Sequence, residues 1–152
     1  MDFSGNSAII YSVLESLSKE YNRLEYLNLS GCKLNTTILI ERLCTVIEKT
    51  YSLTTLLISK NKLGELNLSA LDMLSNALSK NSTLINLDIS NNRLKNTIVL
   101  LVNGIANCST LCTLNISHNL IDENEIIVKK LPLIFRNRNL RYVNMSQNWI
   151  YG

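Results

Sequence analysis

Five segments of eleven residues align without a gap: LEYLNLSGCKL from Leu24, LTTLLISKNKL from Leu53, LINLDISNNRL from Leu84, LCTLNISHNLI from Leu111 and LRYVNMSQNWI from Leu140. Their starts lie 29, 31, 27 and 29 residues apart. A chain that repeats on such a period folds as a stack of similar coils, each resting on its neighbours, because one coil has no second wall against which to bury its apolar side.

Within each segment, positions 4 and 6 are apolar and their neighbours are mostly polar, the mark of a short strand with one buried face. The inward pairs are Leu27 and Leu29, Leu56 and Ile58, Leu87 and Ile89, Leu114 and Ile116, and Val143 and Met145. Positions 1 and 11 add an apolar residue before and after the strand, so four apolar columns run through the stack. Position 9 reads Cys32, Asn61, Asn92, Asn119, Asn148. There the chain leaves the strand, and an amide side chain supplies both donors and an acceptor to backbone groups that lose their ladder partners.

The 16 to 20 residues between segments carry helical stripes: Leu39, Leu43 and Val46, then Leu71, Leu74 and Leu78, then Ile98, Leu101 and Ile105. A helix is also expected over residues 7–20, with Ile9, Val13, Leu14 and Leu17 as its apolar side, closing the first coil. Asp122 with Glu125 reads as a capping box for a fourth connecting helix, which Pro132 should kink or end.

The eleven-residue pattern resembles the leucine-rich-repeat signature L-x-x-L-x-L-x-x-N/C-x-L, and repeat lengths of 27 to 31 resemble the ribonuclease-inhibitor-like class. The resemblance implies an α/β fold in one domain spanning 1–152: a right-handed, curved solenoid with parallel strands on the concave face and helices on the convex one.

On that fold, strand positions 3 and 5 face solvent on the concave side. They are Tyr26, Thr55, Asn86, Thr113 and Tyr142, then Asn28, Leu57, Asp88, Asn115 and Asn144, bordered at position 8 by Lys60, Asn91, His118 and Gln147. Tyrosine and asparagine give contact area and hydrogen bonds at modest entropic cost, so this surface is the expected partner-binding face. Trp149 and Tyr151 lie at the carboxyl end of the stack, where no further helix-length segment follows, and form a second candidate interface or self-association surface.

Catalysis is not expected. Ser30, Ser59, Ser90, Ser117 and Ser146 recur at position 7, where hydroxyls at strand ends are expected to bond neighbouring backbone. His118 is the only histidine, with Asp88 one coil away as its only candidate partner, and no Cys or His grouping has zinc spacing. No metal and no cofactor are implied. Cys32, Cys44, Cys108 and Cys112 are read as reduced residues filling small slots of the repeat. The sequons at Asn28, Asn115 and Asn144 follow from the repeat itself.

A net charge of +3 is too mild for a phosphate-backbone binder, so nucleic acid is not expected. The basic run Lys129, Lys130, Arg136, Arg138, Arg141 reads as a solvated helix end and loop. The amino end lacks the features of a secretory signal and the glycine of a myristoylation site, and the longest apolar run, Ile98 to Val102, is far too short for a membrane span. A cytoplasmic protein is expected.

The leading expectation is therefore a non-catalytic protein-interaction module whose partner is a protein. One branch of the resembling class regulates GTPases, with Arg93 the one repeat-loop arginine to test. The Asn-, Ser-, Ile- and Lys-rich composition also suits repeat effectors that intracellular bacteria deliver into host cytoplasm, where they would act by binding a host protein.

Overall fold

The computed structural model describes residues 1–19 and 23–150. Strands β1 (Tyr26–Asn28), β2 (Thr55–Leu57), β3 (Asn86–Asp88), β4 (Thr113–Asn115) and β5 (Tyr142–Asn144) form one parallel sheet in chain order. Register is kept position for position: Tyr26, Thr55, Asn86, Thr113 and Tyr142 lie side by side. Every sequence position is thus a column through the stack.

Helices α1 (Ile10–Lys19), α2 (Thr37–Lys49), α3 (Leu68–Lys80), α4 (Ile98–Asn107) and α5 (Glu125–Lys130) alternate with the strands. This is the expected α/β architecture. The predicted stripes of α2, α3 and α4 are all buried, and they meet the inward strand residues in one continuous core from Ile10 to Ile134. The same strand pattern buries less in the last coil. Val143 and Met145 are half-buried and Ile150 is 37 % exposed, because no coil beyond β5 covers them among the described residues.

The column at position 9 behaves as expected. Asn92 donates from Nδ2 to the carbonyls of Ile58 (2.9 Å), Ile89 (3.0 Å) and Ser90 (3.2 Å), while its Oδ1 accepts the N–H groups of Asn61 (2.8 Å) and Leu63 (3.3 Å). Asn119 repeats the arrangement one coil on. In the first coil the Cys32 thiol donates instead to the Phe3 carbonyl (3.0 Å).

Two corrections concern the amino end. The helix expected over 7–20 begins at Ile10, and its predicted last residue, Glu20, lies outside the described residues. Its buried residues are Ile10, Leu14 and Ser18, whereas Ile9 is 48 % exposed and Val13 and Leu17 are half-buried. The reason is that residues 1–5 are engaged elsewhere. They run parallel to β1, taking the Asn28 N–H on the Met1 carbonyl (3.0 Å) and donating from Phe3 to Asn28 (2.8 Å) and from Gly5 to Ser30 (2.8 Å). Gly5 turns at φ +74°, and the helix starts only beyond that turn.

The expected capping box at Asp122 is also corrected. The cap is Asn124, whose Oδ1 accepts from Ile126 (3.0 Å) and Ile127 (3.1 Å). Asp122, two residues earlier, pairs through its backbone with Trp149 instead. Pro132 acts as anticipated: it lacks the N–H that would bond four residues back, the α-helix stops at Lys130, and Leu131–Arg136 continue as a 3-10 turn.

Helices α3 and α4 approach so closely that a Cβ on Gly104 would stand 2.4 Å from the Ser75 carbonyl oxygen, and the Gly104 N–H already bonds Ser75 Oγ (3.0 Å). Helix propensity alone favours Gly104→Ala by about 1 kcal/mol. The backbone clash reverses the sign: we expect Gly104→Ala to destabilise by roughly 1–3 kcal/mol, read as a lower urea midpoint. A raised midpoint would show that α3 and α4 can separate freely.

Candidate functional site: the strand face and its borders

Alternation along each strand turns positions 3 and 5 away from the helices. At position 3, Tyr26 (40 % exposed) and Tyr142 (59 %) stand at the two ends, with Thr55, Asn86 and Thr113 half-buried between them. Asn86 donates from Nδ2 to Thr55 Oγ1 (3.1 Å), tying two coils together across the face.

Position 5 has a local task that sequence reading did not anticipate. The side-chain oxygens of Asn28, Asp88, Asn115 and Asn144 each accept the N–H of the serine two residues on, at 2.8–3.1 Å. These Asx-turns are a physical reason for Asn or Asp at position 5; they use only the backbone of the serine two residues on. They also mean that one oxygen of each side chain is engaged, and the Asn28 side chain further bonds the Asp2 carboxylate. Leu57 departs from the column and places an apolar side chain on the face.

The expected hydroxyl-to-backbone bonds do not account for the serine column among the described residues. What its members share is their backbone: the carbonyls of Ser59, Ser90, Ser117 and Ser146 accept the N–H groups of Gly31, Lys60, Asn91 and His118 from the preceding coil. The Ser117 hydroxyl bonds the Asn115 side chain (2.8 Å).

At position 8, Lys60, Asn91, His118 and Gln147 are exposed and hold left-handed backbone, with φ between 54° and 58°. Each such non-glycine residue costs about 1–2 kcal/mol, so the bonds around it must hold the turn in place. The Asp88 carboxylate accepts the Ser90 N–H (2.8 Å). Arg93 extends to Glu65 of the neighbouring coil, with Nη1 2.8 Å from Oε1, an exposed ion pair.

The carboxyl end of the stack presents a second surface. Trp149 is 52 % exposed and anchored by its backbone N–H to the Ile121 carbonyl (2.8 Å); Tyr151 lies outside the described residues. Beside it Ile127, Val128, Leu131, Phe135, Met145 and Ile150 line an apolar groove of about 260 Å³. Phe135 (55 % exposed) was missed in the sequence; its signal is the three-residue spacing from Pro132, which in a 3-10 turn puts both on one side.

Among the described residues, no three His, Cys, Asp or Glu side chains converge as metal ligands, and no helix is long and apolar enough to cross a membrane. Residues 23–45 match the family model of the leucine-rich repeat, a stretch from the first strand segment through most of α2. No curated protein matches the chain.

The thiols provide a direct check of the packing. Cys32, Cys44 and Cys108 are buried and unbridged, and Cys112 is half-buried. Desolvation pushes the Cys44 thiol up to about 12, with help from Glu48 and Glu41, and the Cys108 thiol up to about 11. Burial raises Cys32 as well. The native state therefore holds these protons at pH values where unfolded cysteine loses them, so their contribution to stability is complete below pH 9 and falls away as pH rises toward 11–12. We expect a thiol reagent at pH 8 to label Cys112 alone in the native protein and all four thiols in urea. Equal native labelling of all four would contradict the packing.

Proposed function

We propose that this leucine-rich-repeat protein is a non-catalytic module that binds a protein partner across its strand face, through Tyr26, Tyr142 and the side chains between them. The supporting observation is that these side chains project from a backbone held on both sides. The sheet ladder fixes one coil to the next and the asparagine column fixes the turns that follow. A partner that docks there loses little to the ordering of its receptor, and two exposed tyrosines give the apolar contact that hot spots need.

Full helices of thirteen residues in α2 and α3 favour the ribonuclease-inhibitor-like class within the leucine-rich repeats. The continuous core favours one domain over 1–152. Three buried, unbridged thiols suit a reducing, cytoplasmic setting. The ion pair with Glu65 holds Arg93 against its own solenoid, which gives the GTPase-regulating alternative no support.

A photo-crosslinking residue placed at Thr113 should give one discrete adduct in the cell of origin, and the same group at Asn76 on the helix side should give none. Tyr26→Ser with Tyr142→Ser should weaken that adduct at least tenfold without lowering the unfolding midpoint. Adducts of equal yield from both positions would refute the strand face as the interface.

A second reading is carried by the apolar groove beside Trp149: self-association through Trp149 and Phe135, both more than half exposed. Large exposed apolar side chains favour pairing between copies. Light scattering across a concentration series should show a dimer that Trp149→Ser with Phe135→Ser converts to monomer; a wild-type monomer at every concentration rejects it.

A further inference from the structure

The loops that lead from strand to helix carry a charge pattern absent from the strand face. In the first three coils their left-handed non-glycine positions hold Lys33, Lys60, Lys62, Arg93 and Lys95, together with the neutral Asn91, with φ between 50° and 58°. In the last two coils they hold His118, Leu120 and Gln147. Five of the nine left-handed non-glycine residues among those described are therefore cations, all on one half of the rim. A left-handed backbone favours glycine or asparagine, so local stability does not select lysine there.

Arg93 is neutralised by Glu65. The four lysines are exposed, and among the described residues none makes an ion pair. Lys33, Lys60 and Lys62 converge with Asn35 and Asn61 around a notch of about 300 Å³. The amide of Asn61 is consumed by backbone, with donors on Leu29, Ile58 and Ser59 and its oxygen on the Leu34 N–H, so it forms a fixed floor. The notch is lined by three lysines and two asparagines, with no acidic residue among them.

We propose that this lysine notch, continued by Lys95, binds an anionic stretch of a partner protein: carboxylate or phosphorylated side chains on an extended segment. Neighbouring coils are about 4.8 Å apart, so the cationic rim from Lys33 to Lys95 spans about 10 Å of backbone, the length of three or four extended residues. The lysine half of the rim carries no aromatic side chain on which a base would stack, the exposed Trp149 lying in the fifth coil at its far end, and the overall charge of +3 is low for a phosphate-backbone binder. A peptide fits better than a nucleic acid. This rests on the reading above in one respect: the acidic stretch is part of the protein that the strand face receives.

The test is fluorescence anisotropy at low salt with a labelled peptide of consecutive glutamates and its phosphoserine counterpart, with a labelled oligothymidylate alongside. Lys33→Gln, Lys60→Gln and Lys62→Gln together should weaken peptide binding about tenfold, the sum of three individually weak exposed pairs. Lys130→Gln, Arg136→Gln and Arg138→Gln remove the same charge elsewhere and should change it less than twofold. Equal losses from the two sets would overturn the proposal in favour of net charge alone, and so would tighter binding of the oligothymidylate. The preferred peptide identifies the source of the negative charge. Loss of the Thr113 adduct with peptide binding intact would sink the strand-face reading and leave the notch standing; the reverse would sink the notch alone.

Discussion

No turn in this solenoid is complete without the coil that follows it. The Asn61 N–H is satisfied by Asn92, the Asn92 N–H by Asn119, and the Asn119 N–H by Asn148, each at 2.8–2.9 Å. Each of these amides reaches back to the preceding coil and across its own turn. An aspartate would lack the donors and a leucine would lack both donors and acceptor, so an amide is the side chain that leaves no turning backbone group unpaired in the dry interior. The apolar columns supply the driving force for stacking. The asparagines decide the geometry in which it occurs, and the left-handed residues at the strand exits are tolerated because the bonds on either side hold them there.

That constraint decides where chemical variety can be placed. In the first four coils position 4, 6 and 11 side chains are committed to the core, position 9 largely to the ladder and position 5 largely to the turn with the following serine. What remains is position 3, the free half of position 5 and the left-handed rim. Tyr26, Leu57 and Tyr142 make the face amphipathic, while the lysines give the rim its sign. The surface thus divides into a strand face that is nearly neutral and a border that is not, and this division arises from the backbone economy of the repeat rather than from any pocket.

The strands, the helix stripes and the ladder were legible in the sequence because each is a periodic demand repeated five times, and a single exception such as Cys32 does not hide it. Features that occur once were not. Residues 1–5 lack the Leu-x-x-Leu-x-Leu pattern, yet they pair with β1 because its outer edge offers unpaired backbone groups to any extended neighbour. The start of α5 was misplaced because Asp122 and Asn124 are both good caps by residue type, and Asp122 is instead engaged with Trp149, a contact 27 residues away. A second polar column also went unread. Thr50, Asn81, Cys108 and Asn137 each lie three residues before a repeat leucine; Asn81 reaches the Ile47 carbonyl, and Asn137 those of Ile105 and Cys108. Two of its four members are not amides, which concealed it. For the candidate site, the exposed residues were legible as exposed, but the left-handed backbone beneath Lys60 and Lys62 was not, since neither glycine nor asparagine marks it.

Burial in a stacked fold belongs to the interface between coils and not to the residue. Leu114 and Ile116 in the fourth coil are fully buried, while Val143 and Met145, at the same positions of the fifth, are half-exposed with chemistry that is nearly the same. Asn148 likewise makes the bonds of its column but is half-buried where Asn92 and Asn119 are closed off. Hydrogen bonds that border solvent open at lower free energy than those in the interior, so local stability should rise from β5 toward β3. The amino end escapes this gradient because residues 1–5 supply a backbone ladder there. Any molecule that covers the groove at Phe135 and Ile150 therefore stabilises the last coil by completing an interface, and its binding energy and the folding of that coil are one quantity.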